Sequence, residues 1–463
     1  MGKYQAYPEY KDSNISGLGS IPKNWEVMQL KRTVDSCVNG IWGSEPKEND
    51  ADTIVLRVAD FDRPRLIIKD AGYTFRYIDE KEKVSRKLKR GDLLLEKSGG
   101  GEKTLVGQVV LFDKDFEAVT SNFVAKMTPL YGFNSRFLNY VFSRFYSDRI
   151  NFCSIKQNTG IQNLDSAAYL AEKFGFPQEN EQAQIADFLD HETAKIDTLI
   201  DKQQQLIQLL KEKRQAVISH AVTKGLNPNA PMRESGVEWL GEVPEHWEIR
   251  AVSKLSQKIT NGYVGPTRDI LVPEGVPYIQ ATHIKKGKVN FDSAYFVRQS
   301  WSDAHAKSIL VRGDVLIVQT GAGTGDIGLV TTSEEGFNCH ALIIVQPVKS
   351  VISGEFLSMA FQSQYGYSVL YSIRTGGMHP HLNCGEVQFV KIPVPPINEQ
   401  EEIIKHISEQ VHKFDTLIGK QLLAIELMQE RRTALISAAV TGKIDVRHHA
   451  SRPAGNDTSE FSA

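Results

Sequence analysis

The chain has 463 residues, room for two to four domains with separate cores. Its 54 Lys and Arg against 56 Asp and Glu leave a net charge of −2, so bulk electrostatics select no partner and a phosphate-binding surface must gather its basic residues locally. Four scattered cysteines (Cys37, Cys153, Cys339, Cys384) form no CxxC pair, no apolar run approaches the roughly 18 residues of a membrane span, and no signal segment opens the chain, which together read as a reduced, cytoplasmic protein off the membrane.

Residues 1–19 read as a frayed lead-in. Ile21-Pro-Lys-Asn-Trp-Glu26 opens a first mixed α/β domain over 20–176, with Trp25 as a core anchor. Its texture is short β-branched runs such as Thr53–Arg57, Leu93–Leu95 and Val106–Phe112, with a helix near Phe137–Tyr146. From Asn180 to Val222 there is no Gly or Pro, and Pro177 stands just upstream where a helix can begin. Apolar Ile185, Leu189, Ile196, Leu199, Leu206, Leu210 and Val217 recur at heptad-like steps, with polar Gln203 inside the stripe. Such a helix runs roughly 64 Å and needs a partner to cover its stripe. The long-helix segment is placed at 177–225, followed by a linker at 226–239.

The second half repeats the first. Val243-Pro-Glu-His-Trp-Glu248 answers the first Pro–Trp motif 222 positions on and opens a second α/β domain over 240–395. Arg90-Gly-Asp92 returns as Arg312-Gly-Asp314, Phe137-Leu138 as Phe356-Leu357, and Thr159-Gly160 as Thr375-Gly376. A second long helix at 396–445 repeats the first at an offset of 218: Asn180-Glu-Gln182 returns as Asn398-Glu-Gln400, Lys195–Ile200 as Lys413–Ile418, and Lys213-Arg214 as Arg431-Arg432. Its stripe is Ile403, Ile407, Phe414, Leu417, Met428 and Leu435, and Gln421 falls where Gln203 did. This is an internal duplication, with a repeated frame and divergent domain surfaces, as two different recognition tasks require. Residues 446–463 read as a disordered tail.

Several catalytic motifs fail on context. Gly323-Thr-Gly-Asp-Ile-Gly328 spells GxGxxG, but a strand-like Leu329–Thr332 follows it, so no helix N-terminus awaits a pyrophosphate and a glycine turn between strands is expected. Gly99–Thr104 imitates a phosphate loop with Glu102 in a glycine position. His379-Pro-His381 lacks further ligands at metal-site spacing. No nucleophile elbow or methyltransferase Asn-Pro-Pro-aromatic motif is present, so the chain is not expected to be an enzyme, to bind a cofactor or to hold a metal.

Two loops just before the long helices attract attention, one holding Lys156, Gln157, Asn158 and Thr159, the other Arg374, Thr375, His379 and His381. Both combine basic, hydroxyl, amide or imidazole groups around a Thr-Gly turn, a chemistry suited to phosphates and to base edges in a major groove. The glycine loops at 97–103 (Lys97, Ser98, Lys103) and 319–325 (Gln319, Thr320, Thr324) share that chemistry; for all of these the competing reading is a polar surface loop with no ligand.

With these motifs on the page, the chain resembles the specificity subunit of type I restriction–modification systems over nearly its whole length. The resemblance rests on the repeated Gly17–Trp25 and Trp239–Trp247 motifs, on Pro-x-x-x-Glu-Gln before each helix (Pro177–Gln182, Pro395–Gln400) and on the Ala-Val-Thr endings. It implies two target-recognition domains separated by two long antiparallel helices with pseudo-two-fold symmetry. Each domain would read one half of an asymmetric double-stranded DNA target. The helices would act as spacer and as docking surface for two modification subunits carrying S-adenosylmethionine, with restriction subunits joining to cleave. Phe174-Gly-Phe-Pro177 departs from the Ile-Pro-Val-Pro-Pro form at 392–396, which suggests a differently built exit from the first domain. The competing function is a coiled-coil scaffold without nucleic acid; a fused methyltransferase lacks its motifs.

Overall fold

The computed structural model describes residues 4–49, 51–100, 104–292, 295–377 and 380–449. It divides into two compact units, Met1–Gln203 with Leu423–Ala463, and Gln204–Leu422. Both long helices form as expected, Glu179–Lys224 and Ile397–Val440. Each ends at a left-handed glycine, Gly225 (φ 75°) and Gly442 (φ 69°), the conformation that stops a helix with least strain. Each unit therefore holds half of each helix.

Within the first unit, Ile185, Ala186 and Leu189 share a core with Ile436, Ala439 and Val440, and Arg432 Nε donates to Asp197 Oδ1 at 3.0 Å. Within the second, Ile218, Ala221 and Val222 share a core with Ile403 and Ile407, and Arg214 pairs with Asp415 at 3.3 Å. In both units the helix halves run antiparallel. The two ion pairs are the same pair, since Asp197 and Asp415, like Arg214 and Arg432, stand 218 positions apart.

The seam itself differs from the sequence expectation. Leu199, Leu206 and Leu417 are exposed (48%, 39% and 42%), while their neighbours Ile200 and Ile207 are buried and Ile418 is half-buried. The inward positions are Ile196, Ile200, Gln203, Ile207, Leu210 and Arg214, alternating steps of four and three; 218 later stand Phe414, Ile418, Gln421, Ile425, Met428 and Arg432. Both leucine and isoleucine rows are apolar, so composition alone could not choose between them. Ile185, Leu189, Ile403 and Ile407 are buried as expected.

Both units build the same mixed sheet. In the first the strand order is Val34–Asn39, Val124–Pro129, Leu93–Glu96, Val109–Leu111, Ile67–Ile68, Phe61–Asp62; in the second it is Ser256–Asn261, Leu342–Pro347, Val315–Val318, Ile327–Leu329, Gly287–Val289, Ile284–Lys285. The central strands Leu93–Glu96 and Val315–Val318 are buried throughout, which fits the apolar runs Leu93–Leu95 and Val315–Val318, while Glu96 is a buried carboxylate. The GxGxxG segment lies in the hairpin joining Val315–Val318 to its antiparallel neighbour Ile327–Leu329.

The Pro–Trp motifs fold alike. Tyr10–Asp12 pairs with Ser20–Pro22, and Met232–Glu234 with Glu242–Pro244, in the same register. Trp25 and Trp247 are almost wholly buried, and each indole Nε1 donates to the Glu of the Asn-Glu-Gln motif: Trp25 to Glu181 Oε1 at 2.8 Å, Trp247 to Glu399 Oε1 at 3.1 Å. Glu181 also accepts from Asn24 and Tyr7, and Glu399 from His246, the counterpart of Asn24. The next residue ties the helix start to the domain. Gln182 donates to Pro177 O and accepts from Asn134 N; Gln400 donates to Pro395 O and accepts from Ser353 N. Asn134 and Ser353 cap the domain helices Ser135–Ser147 and Gly354–Gln362.

Three sequence readings change here. The exits are built alike: Lys173–Phe176 and Lys391–Val394 pair antiparallel with Glu26–Gln29 and Glu248–Ala251 in matching register, with Pro393 tolerated because the sheet has only two strands. The lead-in is packed where it is described, with Tyr7 buried against Trp25 and its hydroxyl on Glu181. At the other end Ile444 and Val446 lie in the first unit's core, and Asp445 N bonds Gln5 O, so residues up to 446 belong to the folded part. The rest of the expected tail, from Ala450 on, lies outside the described residues.

Candidate nucleic-acid interface

In each unit the two loops singled out from sequence come together, as a short three-stranded ladder in the first and through two isolated bridges in the second. In the first unit Ser98–Gly99 and Ile155–Thr159 flank Ile161–Leu164. Asn163 stands opposite both Ser98 and Lys156, so these three side chains form a row across one face. Ser98 Oγ donates to Asn163 Oδ1 at 2.6 Å. Lys156 is largely exposed, and its Nζ donates to Asp165 Oδ2 at 2.8 Å, a charge-assisted contact that holds the Asp165 carboxyl below its usual range. Gln157 is exposed, opposite the buried Gln162, whose Oε1 accepts from Val106 N at 3.1 Å.

In the second unit Thr320 and Thr375 each bridge His381, giving the same order with His381 at the centre. Ser98 and Thr320 are 222 apart, and Asn163 and His381 are 218 apart, so the ladders are counterparts. The register pairs Lys156 with Asn163 and Thr375 with His381; by position in the ladder Thr375 answers Lys156 and not Thr159. Lys103 and His379 lie outside the described residues, as do the side chains of Asn158 and Thr159.

Three sequence candidates turn out to brace the loops. Gln319 is buried, and its carbonyl accepts from Leu382 N at 2.9 Å. Thr324 is buried too, its Oγ1 within 2.6 Å of Gly321 O and 3.1 Å of Pro380 O. Arg374 is half-buried; its guanidinium donates to Thr324 O and lies 4.9 Å from the ring centre of Tyr371. The Gln319 backbone carbonyl, the Thr324 hydroxyl and the Arg374 guanidinium join the glycine hairpin to the Arg374–His381 loop, with the Gln319 and Thr324 side chains buried. Burial pushes the nearby Asp326 carboxyl up, with Arg374 opposing.

Lys97 Nζ donates to Asn39 Oδ1 at 2.7 Å. In the other unit Cys384 Sγ donates to Asn261 Oδ1, the residue 222 positions after Asn39. These two asparagines went unnoticed in the sequence. The signal was the repeated Asn39-Gly40 and Asn261-Gly262, whose glycines leave no room for a Cβ against the carbonyls of Thr120 and Cys339 respectively. Beside Lys97, Glu96 is buried and takes both oxygens to Arg63 NH2 at 2.9 Å; burial pushes its carboxyl up while the guanidinium opposes. Among the described residues no group of three or more His, Cys, Asp or Glu is placed to hold a metal, and no helix is long and apolar enough to cross a membrane.

The arrangement offers, in each unit, a row of exposed or half-buried hydrogen-bonding groups, with the basic Lys156 in the first and the imidazole of His381 in the second. A family model described as the type I restriction modification DNA specificity domain matches residues 22–209 and 244–427. The chain is 22% identical to the putative type I restriction enzyme MjaX specificity subunit of Methanocaldococcus jannaschii, over 95% of this chain and 98% of that one. It is 21% identical to the EcoKI specificity subunit of Escherichia coli K12, over 80% and 78%. Its fold resembles a chain from a type I R-M system (TM-score 0.68, 13% identity, covering 91% and 98%). It also resembles the HsdS subunit of Thermoanaerobacter tengcongensis (TM-score 0.50, 14% identity, covering 92% and 98%).

Proposed function

Because the chain belongs to the type I restriction modification DNA specificity family, we propose that each of its two units reads one half of a split, asymmetric double-stranded DNA target. It is the specificity subunit of a type I restriction–modification system and not itself a catalyst. The observation that carries the two-half reading is the paired ladder. The Ser98–Asn163–Lys156 and Thr320–His381–Thr375 rows occupy equivalent places on one repeated frame and share a hydroxyl at the first position, yet differ in chemistry at the other two, amide against imidazole and ammonium against hydroxyl. A common scaffold with unlike polar rows is what two unlike half-sites call for.

The long helices serve as spacer and docking surface. Leu199, Leu206, Leu209, Leu417 and Leu427 are exposed on them and supply apolar area for two modification subunits. Those subunits hold S-adenosylmethionine and carry out methyl transfer to adenine, and restriction subunits complete the nuclease.

The test is to express the chain with its modification subunit and map methylated bases in genomic DNA. A single two-part motif is expected. Replacing residues 20–176 with the corresponding domain of a related subunit should change one half of that motif only. A motif unchanged by the exchange, or altered in both halves, would overturn the assignment. A scaffold without nucleic acid predicts no sequence-dependent methylation at all.

A further inference from the structure

We propose that Phe152 and Tyr371 are specificity-determining residues, each making a nonpolar contact with the C5 methyl of a thymine in its half-site. The proposal rests on the DNA-reading assignment above. It begins from the three residues that lead into each ladder. Phe152 lies in the short 3-10 helix Ile150–Ser154 that feeds Ile155–Thr159, and its carbonyl accepts from Ile155 N. Tyr371 lies in the last turn of Gln364–Ser372, and its carbonyl accepts from Arg374 N at 3.3 Å. The next residue is the outer member of the row in each case, Lys156 or Thr375. Both aromatics thus sit four residues before the ladder position, on the same backbone turn, 219 positions apart.

Their exposure matches as well, 62% for Phe152 and 61% for Tyr371. A single exposed aromatic needs no explanation, but one kept at the same turn of two otherwise divergent surfaces does. Among the described residues neither ring belongs to the main core cluster of its unit. Around the first ladder two further apolar side chains face solvent: Phe123, whose carbonyl accepts from Lys97 N, and Ile161 on the central strand. In the second unit the Arg374 guanidinium covers one face of Tyr371, and Tyr367 stacks beside it at 6.2 Å. A ring held in this way is poorly placed to accept a base on its covered face, while 61% of the residue stays open to solvent. In the major groove thymine alone presents a methyl, next to the donors and acceptors that a polar row would read. An apolar edge beside a polar row completes that pattern.

The experiment measures binding of the chain, assembled with its modification subunits, to duplexes of its mapped target in which each thymine is replaced singly by uracil. Losing one buried methyl should weaken wild-type binding about fourfold at one position in each half-site. Phe152→Ala should bind the thymine duplex more weakly and lose thymine-over-uracil preference in the first half-site only; Tyr371→Ala should do so in the second only. Phe152→Leu and Tyr371→Phe keep apolar reach and should keep the preference, which separates contact from folding. Alanine variants that still discriminate as wild type does, or a target with no uracil-sensitive position, would overturn the proposal while leaving DNA reading intact. A complex that binds scrambled duplex as tightly as its target would overturn the DNA-reading assignment itself.

Discussion

At the scale of single residues, the repeated motifs are repeated because they clasp one another. Trp25 and Trp247 reach Glu181 and Glu399, while Gln182 and Gln400 hold the caps of the domain helices. The motifs were legible in the sequence as matching words; that the words bond to each other was not, because they lie over 150 positions apart. Glu96 shows a second kind of hidden information, a buried carboxylate next to a candidate DNA contact, balanced by Arg63. Arg63→Ala should cost about 3–5 kcal/mol at neutral pH, since it leaves that charge unpaired. The Glu96 carboxyl already titrates above its usual range, so the folded state holds the extra proton and stability falls as pH rises through that window. Without Arg63 the shift grows. Melting temperatures of the variant should therefore approach wild type as pH is lowered from 7 towards 5. An equal deficit at both ends would mean that Glu96 is not the group left uncompensated.

At the scale of elements, the helices were readable in extent and in duplication, because a long run free of Gly and Pro has few alternatives. Their facing was misread by one position at Leu199, Leu206 and Leu417, where isoleucines stand alongside. The domain sheets were visible only as texture: strands of two to six residues pair across distances that no local pattern encodes. The ladders were half legible, since their residues were identifiable but Gln319, Thr324 and Arg374 could be recognised as braces only from packing. The corrected seam gives a sharper test of the spacer role. Seven residues inserted after Gln203 and seven after Gln421 preserve its alternation and add about 10 Å to each helix. The methylated motif should keep both halves and gain about three base pairs of unread spacer, at about 3.4 Å per pair. Two-residue insertions rotate the seam by about 200° and should abolish assembly. An unchanged spacer with seven extra residues would show that the helices do not set the gap.

At the scale of the whole molecule, each unit is completed by the other half of the sequence: Asp197 of the first repeat meets Arg432 of the second, and Arg214 of the first meets Asp415 of the second. Of the residues that the second helix supplies to the first unit, Ile436, Ser437, Ala439 and Val440 are identical to Ile218, Ser219, Ala221 and Val222, while Leu435 and Ala438 stand where the first helix has Val217 and His220. A chain of residues 1–226 therefore carries most of both sides of its own contact. It should form a homodimer, seen by light scattering, and with modification subunits should methylate an inverted repeat of the first half-site. Arg214→Glu should return it to a monomer; a monomeric parent at micromolar concentration would refute the self-complementarity. The tryptophan–glutamate clasp has a consequence of a different order, in the history of the gene. Its two ends bracket the recognition domain, and nothing in the Trp25–Glu181 bond depends on the loops between them. A recombination event with breakpoints near Trp25 and Glu181 would import a foreign recognition domain with its attachment already made. New specificities can then arise in single exchanges between relatives, at a pace that accumulated point substitutions in the ladders could not match.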